Sequence, residues 1–423
     1  MPSAEPLAAA AAAAPRAAFA HRDFRRFAAS SLLANLAEQM VAVAVGWQLY
    51  AITHRALDLG YVGLVQFAPA VALSLPAGHL ADRVDRARIL AACQLALALS
   101  SAALLALTWR GADSATSIAP IYAALLASGV ARAFAAPASQ AIVPGLVPPA
   151  QLANAVTWAS TTWQVATIAG PALGGVVYGL GGAASVYAAS AIAFLLAAAA
   201  ALAIRARPIA RAADDADGSA GLTWSRIFAG LRFVRAHRLI FEAVSMDLFA
   251  VLLGGATALL PVFASDILHV GPWGLGVLRS APAAGAAALA LVLAHRPLIR
   301  RAGPTLLACV ALFGAATIAF GLSRNFWLSL AALLVLGAAD MVSVVVRSTV
   351  VQLRTPDAMR GRVSAVSMLF IATSSDLGSL ESGLTAAWLG AVPAVVVGGI
   401  GTLAVVAVYT FAFKTLRSVD RLE

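Results

Sequence analysis

Charge is what this chain of 423 residues has least of: 11% of its residues are Asp, Glu, Lys or Arg, against 61% that are hydrophobic. A soluble domain carries about 25% charged residues, and a surface this poor in polar groups excludes a water-soluble globule. Mean hydropathy of +0.88 places the chain among polytopic membrane proteins. Cysteine is almost absent. Cys93 and Cys309 both fall inside apolar runs, which excludes a disulfide framework and a thiolate metal centre and leaves them as packing residues. There is no His-rich helix face and no phosphate-cradling glycine loop, so a membrane-embedded enzyme has no chemistry to work with. No cofactor, metal or catalytic residue is expected. Nor is a signal peptide, because Glu5 rather than a basic region precedes the apolar stretch Leu7 to Ala14.

What is present is a series of apolar runs. Twelve are read, at about 27–51, 59–80, 89–109, 118–142, 156–180, 183–204, 239–263, 272–294, 304–323, 326–350, 363–389 and 392–413. Each is near the roughly 20 residues a helix needs to cross hydrocarbon, so the predicted fold is an all-α membrane protein of twelve transmembrane helices. Of the 29 Lys and Arg residues, 23 lie in the tails and even-numbered loops, while Arg55, Arg110 and Arg324 lie on the opposite side. By the positive-inside rule both termini are cytoplasmic, in a bacterial inner or plasma membrane. The net charge of +10 then faces membrane lipids and not a nucleic acid.

The runs divide six and six around one long loop. The expected domains are a cytoplasmic N-terminal tail at 1–26, a six-helix bundle at 27–204, a cytoplasmic linker at 205–238, a second six-helix bundle at 239–413 and a cytoplasmic tail at 414–423. Residues 1 to about 20 read as disordered, with His21 to Arg26 a basic collar. In the linker, Trp224, Ile227, Phe228, Leu231 and Val234 recur at helical spacing among arginines, an amphipathic strap on the cytoplasmic face. Internal echoes support duplication: Gly63-Leu-Val-Gln-Phe-Ala-Pro-Ala70 with Gly276-Val-Leu-Arg-Ser-Ala-Pro-Ala283, and Pro149-Ala-Gln-Leu-Ala-Asn-Ala-Val156 with Pro356-Asp-Ala-Met-Arg-Gly-Arg-Val363. Thr355 reads as the N-cap of the eleventh helix, with Pro356 at its first position.

Between runs two and three stands Gly78-His-Leu-Ala-Asp-Arg-Val-Asp-Arg-Ala-Arg88. It resembles the major facilitator superfamily, whose loop here follows Gly-x-Leu-Ala-Asp-Arg-x-Gly-Arg-Lys. Gly78, Leu80, Ala81, Asp82, Arg83 and Arg86 match. Asp85 replaces the glycine and is expected to keep the turn through its tolerance of left-handed backbone, and Ala87 replaces the lysine. The resemblance implies a cytoplasmic gate at Gly78, Asp82, Arg83 and Arg86, with Asp82 meeting the start of span eleven and the arginines meeting carboxylates. Gly170-Pro-Ala-Leu-Gly-Gly175 in span five looks like the Gly-Pro-x-x-Gly of the superfamily's antiporters, through Gly170, Pro171, Gly174 and Gly175. Ala136-Pro-Ala138, Pro144-Gly-Leu-Val-Pro148 and Thr355-Pro-Asp-Ala-Met-Arg-Gly-Arg-Val363 resemble the bacterial drug and siderophore exporters, the enterobactin exporter among them, whose substrates leave in exchange for protons.

Ionisable groups inside a bilayer cost about 2.5–3.5 kcal/mol each on insertion scales, so each asks for a reason. Glu38, in span one, is the first candidate for proton coupling, with Arg132 of span four as counter-ion and Asn35 and Gln39 as hydrogen-bonding neighbours. Asp340, Asp376 and Glu381 are further coupling candidates, and Arg279 with Arg132 supplies cavity charge. Glu242, Asp247 and Arg347 lie nearer the cytoplasmic ends, where access to headgroups or water is expected. Trp47, Tyr50 and Trp163 are candidate cavity aromatics, although aromatics at membrane depth are more often packing residues or interface anchors. The reading is a proton-coupled exporter of an amphipathic small molecule, drug-like or siderophore, working as a monomer by alternating access. Uptake or lipid-related facilitation is the alternative, and a non-transporting membrane protein is the more distant one.

Overall fold

The computed structural model describes residues 15–111, 118–205, 224–295 and 302–413, and among these every regular element is a helix. In order they are α1 (Arg22–Thr53), α2 (Ala56–Ala72), α3 (Ser74–Arg83), α4 (Arg86–Trp109), α5 (Ile118–Ile142), α6 (Leu152–Leu202), α7 (Trp224–Ala236), α8 (Arg238–Leu253), α9 (Gly271–His295), α10 (Ala302–Leu322), α11 (Phe326–Arg354), α12 (Asp357–Leu389) and α13 (Ala391–Ala412). Among the described residues nine helical stretches are long and apolar enough to cross a membrane. Helix is the form that hydrocarbon demands, because every backbone N–H and C=O must find its partner within the segment. Large apolar side chains remain open on the surface, Leu180 at 85%, Trp388 at 83% and Phe411 at 80%, a surface suited to lipid rather than water.

Local chemistry explains the breaks. Along the second apolar run, α2 stops at Ala72 and α3 restarts at Ser74, between Pro69 and Pro76, whose rings remove backbone donors. The 51 residues of α6 are about twice what a bilayer requires, and its helical geometry fails at Gly181 and Gly182, the latter at φ +70, between runs five and six. After α8 the chain leaves regular α-helix at Gly254 and Gly255, continues as 3-10 turn through Ala256–Leu259 and ends in π-helix at Phe263–Ile267. Asn325 caps α11 by accepting from the N–H groups of Trp327 and Leu328.

Two compact units result. One comprises Met1–Ala44 with Ala68–Leu222, the other Val45–Phe67 with Thr223–Glu423. In the first, α4 lies against α5 and α6, and Phe24, Phe27, Leu90, Leu97, Phe194 and Ile142 form the core. In the second, α10 packs on α11 and α13, and α9 on α11. Apolar burial gains little when the alternative is a lipid tail, so close approach of small residues carries much of the packing. Gly337 lies directly on the Pro282 carbonyl and Gly285 on the Leu334 carbonyl, which fixes α9 and α11 as an antiparallel pair.

Four expectations change. Residues 15–20 are ordered: Ala17–Ala20 form a 3-10 turn, the Ala18 N–H donates to Asn154 Oδ1 at 3.0 Å, Trp158 Nε1 donates to the Pro15 carbonyl at 2.8 Å, and Phe19 stacks edge-on against Trp158. Residues 1–14 lie outside the described residues. Asp85 is not left-handed; at φ −56 it is the N-cap of α4, its carboxylate accepting from the Ala87 N–H at 2.9 Å. Thr355 ends α11 rather than capping α12, whose N-cap is Pro356. Glu242, Asp247 and Arg347 are buried. The amphipathic helix forms as read, with Val234 buried beside Ile240 and Val350.

Candidate functional site

Glu38 and Arg132 come together in the first unit. Their helices α1 and α5 place Arg132 Nε 3.0 Å from Glu38 Oε1, with the side chains 43% exposed for the arginine and 32% for the glutamate. The pair is therefore made but only partly buried. Asn35, expected to hydrogen-bond Glu38, donates instead to the Ser31 carbonyl at 2.6 Å, one turn back on its own helix.

The glycine-proline motif sits directly behind this carboxylate. Gly170, Pro171, Gly174 and Gly175 are all buried in α6. A Cβ built on Gly170 would lie 2.5 Å from Gln39 Cβ, and one on Gly174 would lie 2.8 Å from Met40 Cα. Only hydrogen at these positions lets α6 touch α1 at the residues that follow Glu38. The helix runs on through Pro171, its backbone breaking only at Gly181 and Gly182.

Around the charged hairpin, Arg86 Nη1 donates to the Ala141 carbonyl at 2.9 Å, where the last turn of α5 leaves carbonyls without helical donors. Arg83 is exposed, and a Cβ on Gly78 would meet nothing within 4 Å. The side chain of Asp82 lies outside the described ones.

In the second unit, Arg279 and Asp340 are both half-buried, one turn beyond the Pro282–Gly337 contact on α9 and α11, and neither bonds to a described residue. Glu381 accepts from Thr385 Oγ1 at 2.8 Å on its own helix. Asp376 is half-buried, and its carbonyl would lie 3.3 Å from a Cβ on Gly63. Two arrangements went unread in the sequence. Arg347 Nη1 pairs with Asp247 Oδ2 in the interior, where Ser343 Oγ donates to Asp247 Oδ1 at 2.9 Å. Tyr50 donates its hydroxyl to Asp266 Oδ2 beside a cavity of about 680 Å³ that His54, Arg55 and Pro393 also line. Asp266 escaped notice because it falls just past the seventh apolar run.

No group of three or more His, Cys, Asp or Glu among the described residues is placed to hold a metal. The arrangement consists of buried helices, charges inside the bundle and glycine-packed contacts. That is the anatomy of a membrane transporter with the major facilitator fold. The chain superposes with TM-score 0.74 on an inward-facing bacterial homologue of the human lysosomal transporter Spinster, at 15% identity over 93% of this chain and 97% of that one. With a D-xylose–proton symporter the TM-score is 0.71, at 12% identity over 93% and 98%.

More narrowly, the chain belongs to the transmembrane secretion effector family, whose model matches residues 13–422. It is 25% identical over 388 residues to the enterobactin exporter EntS of Citrobacter koseri, covering 91% of this chain and 90% of that protein. A shorter match, 30% over 171 residues, links it to the staphyloferrin A transporter of Staphylococcus aureus and spans 40% of this chain and 43% of that one. The family and these relatives are transporters, not enzymes.

Proposed function

We propose that the chain exports an amphipathic siderophore-like small molecule across the cell membrane in exchange for protons. In this reading it works as a monomer of twelve spans with both termini cytoplasmic, embedded in anionic lipid. The bundles at 27–204 and 239–413 are the two halves, joined by the linker at 205–238. The enterobactin exporter relative supports the cargo class and the direction. The observation that carries the coupling is the Glu38–Arg132 pair, made at 3.0 Å yet only partly buried. A proton and Arg132 compete for the same carboxylate. Cargo binds the deprotonated site, its hydrogen-bond donors held by the Glu38 carboxylate beside Arg132. Once cargo has left on the outer side a proton takes that carboxylate from Arg132, and it is given up on the inner side as the pair reforms, so proton and cargo are never carried together. Asp340, Asp376 and Glu381 are secondary candidates for the proton, Arg279 supplies further cavity charge, and Gly78, Asp82, Arg83 and Arg86 form the cytoplasmic gate.

Glu38→Gln tests this reading. Pairs this exposed contribute about 0–1 kcal/mol to stability, so the variant is expected to fold normally while losing enterobactin efflux driven by a pH gradient in proteoliposomes. Undiminished pH-driven efflux would refute the assignment.

A further inference from the structure

Each proposed half brings together an acid on its first span and an arginine on its fourth: Glu38 with Arg132, and Asp247 with Arg347. Asp247 follows Glu38, and Arg347 follows Arg132, by about 210 residues, close to the separation of Gly63 from Gly276 and of Cys93 from Cys309. The likeness extends along the helix. Ser128-Gly-Val-Ala-Arg132 in α5 is answered by Ser343-Val-Val-Val-Arg347 in α11, with serine one turn ahead of arginine in both.

We infer that Asp247, Ser343 and Arg347 are the second repeat's copy of Glu38, Ser128 and Arg132, and that the copies have diverged: the first pair opens during transport, the second is a permanent clasp positioning α8 against α11. The role of the first pair rests on the function proposed above; the clasp does not.

Burial separates the two. The side chains of Arg132 and Glu38 are 43% and 32% exposed, those of Arg347 and Asp247 7% and 6%. The serines differ in the same sense. Ser128 Oγ donates to the Ala124 carbonyl at 2.9 Å and leaves its pair alone, whereas Ser343 Oγ donates to Asp247 Oδ1 at 2.9 Å. Asp247 thus has one oxygen held by arginine and the other by serine, and water is excluded. Glu242, the neighbouring acid on α8, is itself buried and held by Arg238 at 2.9 Å, and Tyr409 of α13 donates to Ser245 at 2.7 Å. A proton on Asp247 would strand a buried guanidinium, which is far more costly than neutralising both partners together. An exposed pair carries no such penalty.

The two roles predict opposite rescue patterns in the purified full-length protein. Asp247→Asn alone should lower the thermal midpoint in detergent by about 5 °C or more and cut enterobactin efflux about tenfold. Adding Arg347→Gln removes the stranded charge while leaving two amides that can hydrogen-bond across the same gap, and should restore both, with the wild-type pH profile intact. Glu38→Gln should leave the midpoint unchanged, lose pH-driven efflux and gain nothing from Arg132→Gln. An unchanged midpoint in Asp247→Asn, or no recovery in the neutral double variant, would overturn the clasp. A flattened pH profile in that double variant would also overturn it, by making Asp247 a coupling group. Were wild-type protein to move no enterobactin, the functional reading would fall, and the midpoints would still decide for or against the clasp.

Discussion

Replacing Gly174 by alanine tests whether the glycine-proline motif exists to bring α6 onto the helix that carries Glu38. The added Cβ would stand 2.8 Å from Met40 Cα, a backbone atom that cannot rotate away. Carbon atoms in contact prefer about 3.5–4.0 Å, so the helices must part by about 0.7–1.2 Å at this point. Overpacking of this kind costs about 1–3 kcal/mol. Glu38 is two residues from Met40, so the same displacement pulls at its 3.0 Å bond to Arg132. Gly179 on the same helix is the matched control: a Cβ there would meet nothing within 4 Å, and alanine raises helix propensity by about 1 kcal/mol. Thermal unfolding in detergent and pH-driven efflux in proteoliposomes should both fall for Gly174→Ala and hold for Gly179→Ala. Equal stability and equal transport in the two variants would refute the reasoning.

Asp85→Ala removes the cap of α4 and should cost about 1 kcal/mol, whereas Asp85→Gly should cost only a few tenths; amide exchange at Ala87 reads the difference, and equal exchange in both variants would contradict the cap. Asn154→Ala removes the acceptor of the Ala18 N–H and the donor to the Pro15 carbonyl, so tryptic cleavage after Arg16 should quicken several-fold while transport persists; cleavage at the wild-type rate would show that Trp158 alone anchors the segment.

The helical architecture was legible because runs of about 20 apolar residues leave few alternatives in hydrocarbon, and the Glu38–Arg132 pair was legible because an intramembrane acid needs a partner. Residues 15–20 were not, because their anchors, Asn154 and Trp158, lie far along the chain from an alanine-rich stretch that on its own reads as a tail. Asp85 was misread through its place in a family pattern; its own chemistry, an acid just ahead of a helix, is that of a cap. Asp247 and Arg347 were placed near headgroups or water because position along a span measures depth in the bilayer and says nothing of sideways burial between α8 and α11.

Flux of protons and cargo in one vesicle tests the central claim most directly. With wild-type protein in proteoliposomes holding a pH-sensitive dye, coupled export predicts that enterobactin moving one way is accompanied by protons moving the other, each gradient driving the other's flux. Enterobactin movement with no accompanying change in internal pH, in protein whose Glu38 and Arg132 are intact, would contradict it.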